Sequence, residues 1–311
     1  MKKKYIEEVE DLYTIKDILR WTISNFNKAN IYYGHGTNNA FDEALQLILT
    51  SLYLPLNIPS NLLTSRITKI EKKHIINLIS QRIKKKIPTA YLINRSWFCG
   101  HEFYIDKRVL IPRTPIKELI NNRFTNIISN EPKSILDLCT GSGCIAISCA
   151  YKFPNTKIID AVDISSDALI VAERNIINHK LQNSIILILS DLFKNMPEVK
   201  YDMIITNPPY VNKKDINMLP KEFLIEPKIA LFADDDGLNL IYRILANSPR
   251  FLTNNGILIC EVGNNMINLI KKYPEIKFNW LKFKYGGNGV FSITYKELIK
   301  HNKTFSLYID S

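Results

Sequence analysis

The sequence predicts an α/β fold. Its main part is a mostly parallel seven-stranded sheet with helices on both faces and an antiparallel edge strand, preceded by a small helical N-terminal domain and a hairpin linker. Three observations predict this. After Pro115, short apolar runs alternate with helix-like stretches, the pattern of a parallel sheet covered on both sides. The last two runs are joined by Tyr285-Gly286-Gly287-Asn288-Gly289 with no helix between them, which makes a hairpin and reverses one strand at the sheet's edge. The first ninety residues carry apolar positions at three- and four-residue intervals, the spacing of amphipathic helices.

Taken in order, helices are expected over 5–20, 42–52 and 71–85. Asp42 is the expected N-cap of the second, and Ile75, Ile76, Leu78, Ile79 and Ile83 form the buried face of the third. These define a helical domain over 1–90. Its Gly-punctuated loop Tyr32-Tyr33-Gly34-His35-Gly36-Thr37 reads as a connection in which His35 is a turn residue. A linker over 91–112 follows, where Trp97-Phe98-Cys99 and Phe103-Tyr104-Ile105 flank Gly100-His101 as the arms of a β-hairpin. The remaining domain, 113–311, carries strands expected at 134–138, 157–162, 185–189, 201–206, 256–260, 278–283 and 290–294.

A chain of 311 residues with 46% hydrophobic composition can bury a sizeable core. It has no run near eighteen apolar residues, and Met1-Lys2-Lys3-Lys4 leads into acidic residues rather than a signal-peptide core. A soluble, cytoplasmic protein is expected. Five cysteines, with Cys139, Cys144 and Cys149 spaced by five, form neither a disulfide framework nor a zinc pattern, so no metal is expected. The net charge of +11 is uneven: through Leu110, seventeen Lys and Arg face ten Asp and Glu. This excess suits an anionic partner such as ribosomal RNA, although a Lys- and Asn-rich chain carries such charge without one.

Chemistry concentrates at two strand ends. The strand ending at Thr206 is stopped by Asn207-Pro208-Pro209-Tyr210, because neither proline can donate to a sheet ladder and each fixes φ near −65°. The rigid turn presents the Asn207 amide oxygen and backbone carbonyls beside the Tyr210 ring, a set of acceptors suited to a planar group bearing NH2. At the first strand, Asp137-Leu138-Cys139-Thr140-Gly141-Ser142-Gly143-Cys144 turns into a helix, and Asp163 ends the next strand twenty residues beyond Gly143. Glycines at that turn admit a ligand to the backbone, and the carboxylate suits ribose hydroxyls, which together mark a nucleoside site. Gly141, Gly143 and Ala146 also satisfy a dinucleotide pattern, but Asp137 would repel a pyrophosphate and attract an ammonium group. S-adenosylmethionine therefore fits better than NAD. Asp191 and Leu192 end the third strand on the same rim, where the carboxylate can accept from an adenine amine or cap the following turn.

With both sites placed, the chain resembles the class I S-adenosylmethionine-dependent protein glutamine methyltransferases, whose catalytic domain is Rossmann-like. The residues that carry the likeness are those from Asp137 to Cys144, Asp163, Asn207 to Tyr210, and Leu110-Ile111-Pro112-Arg113 with Glu118. The segments 32–37, 97–104 and 286–291 look like the branch acting on large-subunit ribosomal protein three. The sister branch acts on peptide-chain release factors. The resemblance implies S-adenosylmethionine held by Asp137, Cys139, Thr140, Gly141, Ser142, Gly143, Asp163, Asp191, Leu192 and Asn207, and catalysis by Asn207, Pro208, Pro209 and Tyr210. It also implies substrate recognition by residues 1–90 and a partner that is ribosomal protein three or the assembling large subunit. Arg113 and Glu118 read as an interdomain ion pair or as contacts to substrate backbone. Two other readings remain open at this point: methylation of a nucleobase amine, and a non-catalytic ribosome assembly factor that keeps the fold.

Overall fold

The computed structural model describes residues 8–212, 215–233 and 236–306. They fall into two compact units, one comprising Met1–Arg95 with Pro220–Ile225, the other Ser96–Leu219 with Glu226–Ser311. Among the described residues no helix is long and apolar enough to cross a membrane.

The smaller unit is built on α1 (Ile15–Lys28), α2 (Ala40–Ser51), α3 (Lys69–Lys85) and the short α4 (Thr89–Ile93). Residues 5–7 of the first expected helix lie outside the described residues, and its remainder is corrected. Thr14 accepts the Asp17 N–H and Asp17 accepts the Thr14 N–H, a capping box that starts a helix at Ile15 and interrupts the one expected over 5–20. The N-cap of α2 is Asn39 rather than Asp42; the Asn39 side chain accepts the Asp42 N–H at 2.9 Å. Asp42 sits in the first turn, where its charge meets the positive end of the helix dipole. In α3 the expected Ile75, Leu78 and Ile79 join Phe26, Leu47 and Ile48 in the core of this unit.

The larger unit begins at Ser96, one residue into the hairpin of β1 (Arg95–Phe98) and β2 (His101–Tyr104), whose turn residues Cys99 and Gly100 both have positive φ. Next come α5 (Ile116–Asn121), β3 (Ser134–Leu138), α6 (Cys144–Lys152), β4 (Ile158–Asp163), α7 (Ser166–Asn178), β5 (Ile186–Leu189) and β6 (Tyr201–Thr206). They are followed by α8 (Lys228–Leu231), α9 (Asn239–Phe251), β7 (Leu252–Glu261), α10 (Met266–Lys272), β8 (Asn279–Trp280), β9 (Val290–Thr294), α11 (Tyr295–Lys300) and α12 (Asn302–Ser306).

The seven-stranded sheet has the order β5-β4-β3-β6-β7-β9-β8 and is parallel from β5 through β7. β9 runs antiparallel to β7, next to the edge formed by the two-residue β8. That edge strand is shorter than the run expected over 278–283. Beyond it the Lys284 N–H is taken by the Glu118 carboxylate, so the backbone leaves the ladder. All of β3 is buried, as befits a central strand covered on both faces. From β3 the chain proceeds outward through β4 and β5, then returns to β6 on the other side of β3. This makes a topological switch point at the carboxyl ends of β3 and β6, the place where open α/β sheets bind ligands. Leu138 pairs with Thr206, so the turns after Leu138 and Thr206 leave the sheet side by side.

Candidate active site

Both motif turns therefore meet at the switch point, around a cavity of about 300 Å³. Of the residues expected to bind the cofactor, Cys139, Thr140, Gly141, Ser142, Asp163, Asp191, Leu192 and Asn207 line it, as does Pro209. Asp137, Gly143, Pro208 and Tyr210 stand outside that lining.

The turn after β3 is tightly wound. Cys139, Gly141 and Gly143 have φ of 63°, 57° and 78°. A Cβ at Gly141 would meet nothing within 4 Å, so the backbone there is open to a ligand; at Gly143 it would press on Ala172 Cβ at 3.3 Å, so that glycine serves close helix packing. Asp137 lies wholly buried beneath the turn. Its Oδ2 accepts from the Thr140 hydroxyl at 2.5 Å and the Ala146 N–H at 3.0 Å, while its Oδ1 has no partner in the protein. Burial pushes its pKa up to about 7, against the pull of those two donors.

Asp163 links two loops. Its Oδ2 accepts the Gly141 N–H at 2.8 Å and its Oδ1 the Ser165 N–H at 2.9 Å, so it both caps its own turn and fixes the glycine turn opposite. Burial raises its pKa, and these backbone donors act in the opposite sense. Each oxygen retains a lone pair for a ligand hydroxyl. Asp191 is held by Arg243 of α9 at 2.8 Å, a partner for which the sequence offers no local signal.

In the turn after β6 the Asn207 side-chain oxygen is buried with no hydrogen-bond partner in the protein. Few native acceptors are left this way, because an unmade bond there costs ~1–3 kcal/mol. The chain beyond is pinned by the Val211 N–H on Leu231 O at 2.9 Å and the Ala233 N–H on Val211 O at 3.0 Å. Arg113 and Glu118, considered together as a pair, have separate partners. Arg113 binds both oxygens of Glu226 at 2.7 and 2.8 Å, and Glu226 also accepts the Ile111 N–H, while Glu118 takes the Lys284 N–H. Glu226, Arg243 and Glu261, which accepts the Tyr210 hydroxyl, are site residues that sequence reasoning missed.

These residues fit S-adenosylmethionine. The buried but unpaired oxygen of Asp137, the open face at Gly141 and the Asp163 carboxylate offer acceptors to ammonium and hydroxyl groups, and the arginines that line the cavity, Arg108, Arg113 and Arg243, are each paired with a carboxylate rather than turned to a pyrophosphate.

Comparison with known proteins identifies the family. The methyltransferase small domain family matches residues 119–235. The ribosomal protein uL3 glutamine methyltransferase of Francisella tularensis is 45% identical over 309 residues, covering 99% of this chain and 98% of that protein. That of Xanthomonas campestris is 42% identical over 294 residues, covering 94% and 95%. The crystal structure of the hMettl16 catalytic domain in complex with MAT2A 3′UTR hairpin 1 superposes with a TM-score of 0.50 at 14% identity, covering 77% of this chain and 85% of that one, a likeness of fold. The switch-point site, the methyltransferase domain and the near-full-length identity agree: the chain belongs to the ribosomal protein uL3 glutamine methyltransferases, enzymes of the class I fold that use S-adenosylmethionine.

Proposed function

We propose that this enzyme methylates the side-chain amide nitrogen of a glutamine in ribosomal protein uL3. The observation that carries the reading is the orphaned Asn207 oxygen at the switch point of a chain 45% identical to a uL3 glutamine methyltransferase. A glutamine amide nitrogen is a poor nucleophile because its lone pair is delocalised into the carbonyl. The Asn207 Oδ1 and the Pro208 carbonyl each accept one N–H of that amide, orient the nitrogen and stabilise the positive charge it develops. Pro209 keeps the turn rigid and Tyr210 walls the amide plane. When bound, S-adenosylmethionine would supply an activated methyl group and its own leaving group, with one amide proton passing to water after transfer, so alignment by the protein carries most of the rate enhancement. The turn from Cys139 to Gly143, braced by Asp137, holds the amino-acid end of the cofactor, Asp163 the ribose, and Asp191 with Leu192 the adenine.

The test is a radiolabelled methyl-transfer assay on undermodified ribosomal extract, split into nuclease- and protease-treated halves. Label confined to one large-subunit protein and lost with protease is the expected result. Label lost with nuclease would mean a base amine as substrate, label on a release factor the sister specificity, and no label a non-catalytic assembly factor.

Asp163→Ala is expected to weaken S-adenosylmethionine binding by ~1.5–3 kcal/mol, because it removes a charged acceptor and also releases the Gly141 N–H. Isothermal calorimetry checks this, and an unchanged affinity would remove Asp163 from the ribose role.

In this reading residues 1–90 recognise the substrate in the cytoplasm, where the large subunit assembles, and contact its RNA. Part of the basic surplus lies on α3. Lys69, Lys73 and Lys84 are exposed and lie within about 60° of one another around the helix. The single acid of α3, Glu71, is spent on its cap. Replacing these three lysines by Gln should lower the slope of log affinity against log salt for an RNA hairpin by about two to three. An unchanged slope between 50 and 200 mM salt would place any RNA contact elsewhere.

A further inference from the structure

Tyr210 is held at three points by residues at the carboxyl end of β7 and just beyond it. Its hydroxyl donates to Glu261 Oε1 at 2.8 Å. Its carbonyl accepts from Asn265 Nδ2 at 2.6 Å. Its ring lies against Gly263, where a Cβ would overlap the ring carbon Cε2. Gly263 has φ +51°, so the close approach and the backbone conformation both require glycine there. The second oxygen of Glu261 is held in turn by the Thr114 hydroxyl at 2.5 Å, and Thr114 Oγ1 accepts the Ile116 N–H at 3.1 Å.

Glu261 is almost wholly buried. A carboxylate in such a place is costly, and burial raises its pKa, while the Thr114 and Tyr210 hydroxyls and the Arg113 charge favour the ionised form. The Tyr210 phenol is pushed well above its ordinary range by burial and by Glu261, so it stays protonated and stays the donor. Packing alone would be served by an apolar residue of similar size at the end of β7. The directional bonds made by a buried acid instead fix the angle of one ring.

We propose that Glu261 is a positioning residue for methyl transfer, holding the Tyr210 ring as the wall of the amide site through the Tyr210 hydroxyl and itself anchored by Thr114. The inference rests on the reading of Tyr210 as that wall. Thr114 directly follows Arg113, so the same acid ties the segment from Ile111 to Thr114 to the turn that carries Asn207. Glu261 touches neither the amide nor the methyl group and takes no proton in this scheme; its contribution is to hold the ring in the orientation that the transition state requires.

The experiment is a double-mutant cycle on the full chain with uL3 as substrate, using Glu261→Gln, Tyr210→Phe and the double variant, with Tyr210→Ala as reference. Each is checked by thermal melting and by calorimetry with S-adenosylmethionine. Each single variant is expected to lower kcat about tenfold, the double variant no more than the worse single one, and cofactor affinity to stay within about twofold throughout. A purely structural role would instead weaken cofactor binding and kcat together, with losses that multiply in the double variant, and that result would overturn the proposal. Tyr210→Phe at full kcat would overturn it even if Glu261→Gln fails to fold. Tyr210→Ala at full kcat would overturn the wall reading itself. Loss in Tyr210→Ala beside an intact Glu261→Gln would overturn only the role of the acid.

Discussion

Asn207→Ala is expected to lower kcat by about 10²–10³ while leaving S-adenosylmethionine affinity within about threefold and the melting temperature unchanged or raised. The three outcomes belong together because of one atom. The Asn207 oxygen is buried at the end of β6 without a partner in the protein, so the folded enzyme bears its desolvation and gains nothing for stability from it. At the switch point, the retention of such an acceptor is accounted for by what it does with a ligand. Truncation should then relieve the cost and remove a preorganised partner of the developing charge. If Asn207 were merely capping its own turn, the same substitution would lower stability and spare turnover. Single-turnover methylation beside differential scanning calorimetry separates the two, and turnover within threefold of the parent would remove Asn207 from the chemistry.

What the sequence made legible follows from how local each signal is. The prolines after Thr206 and the glycines after Leu138 declare their turns by themselves, because proline lacks a donor and glycine permits positive φ. Alternation of apolar runs and helices placed those turns at strand ends, and a parallel sheet then brings strand ends to one rim. The partners that fix the site are not local. Arg243 comes 52 residues after Asp191, Glu226 is 113 after Arg113 and Glu261 is 51 after Tyr210. Each sits in an ordinary helix, loop or strand end where a charged residue reads as solvent-facing. Helix starts failed for a different reason: Asn39 and Thr14 compete with nearby Asp42 and Asp17 for the cap, and only the backbone shows which side chain turns inward. Glu118 beside Arg113 looked like a pair through proximity in sequence, but the Arg113 guanidinium binds both oxygens of Glu226, a geometry that proximity does not reveal.

Arg82→Ala is expected to destabilise the smaller unit by ~3–5 kcal/mol. Arg82 is fully buried in α3, yet its guanidinium serves two carboxylates and a carbonyl: it pairs with Glu43 of α2, bonds Glu222 at 3.2 Å and donates to Tyr32 O at 2.8 Å. Thr37 and Thr89 add hydroxyls to Glu43, and the Tyr32 N–H adds to Glu222. This network orders the loop from Tyr32 to Thr37, and it holds Pro220–Ile225, which the chain contributes to this unit between two stretches of the larger one. Without the arginine two acids are left buried near each other with no cation between them, the costliest way to break such a cluster. Lysine should not restore the loss, since a single ammonium cannot present donors to all three acceptors. Glu222→Gln should cost far less, because Glu43 still neutralises Arg82. Chemical unfolding combined with limited proteolysis within residues 215–226 reads both effects. The chain that leaves Tyr210 passes through Glu222 twelve residues later, so the same variants should raise KM for uL3 while cofactor affinity, set at the switch point, stays put. A cluster that served stability alone would leave KM unmoved in the folded fraction.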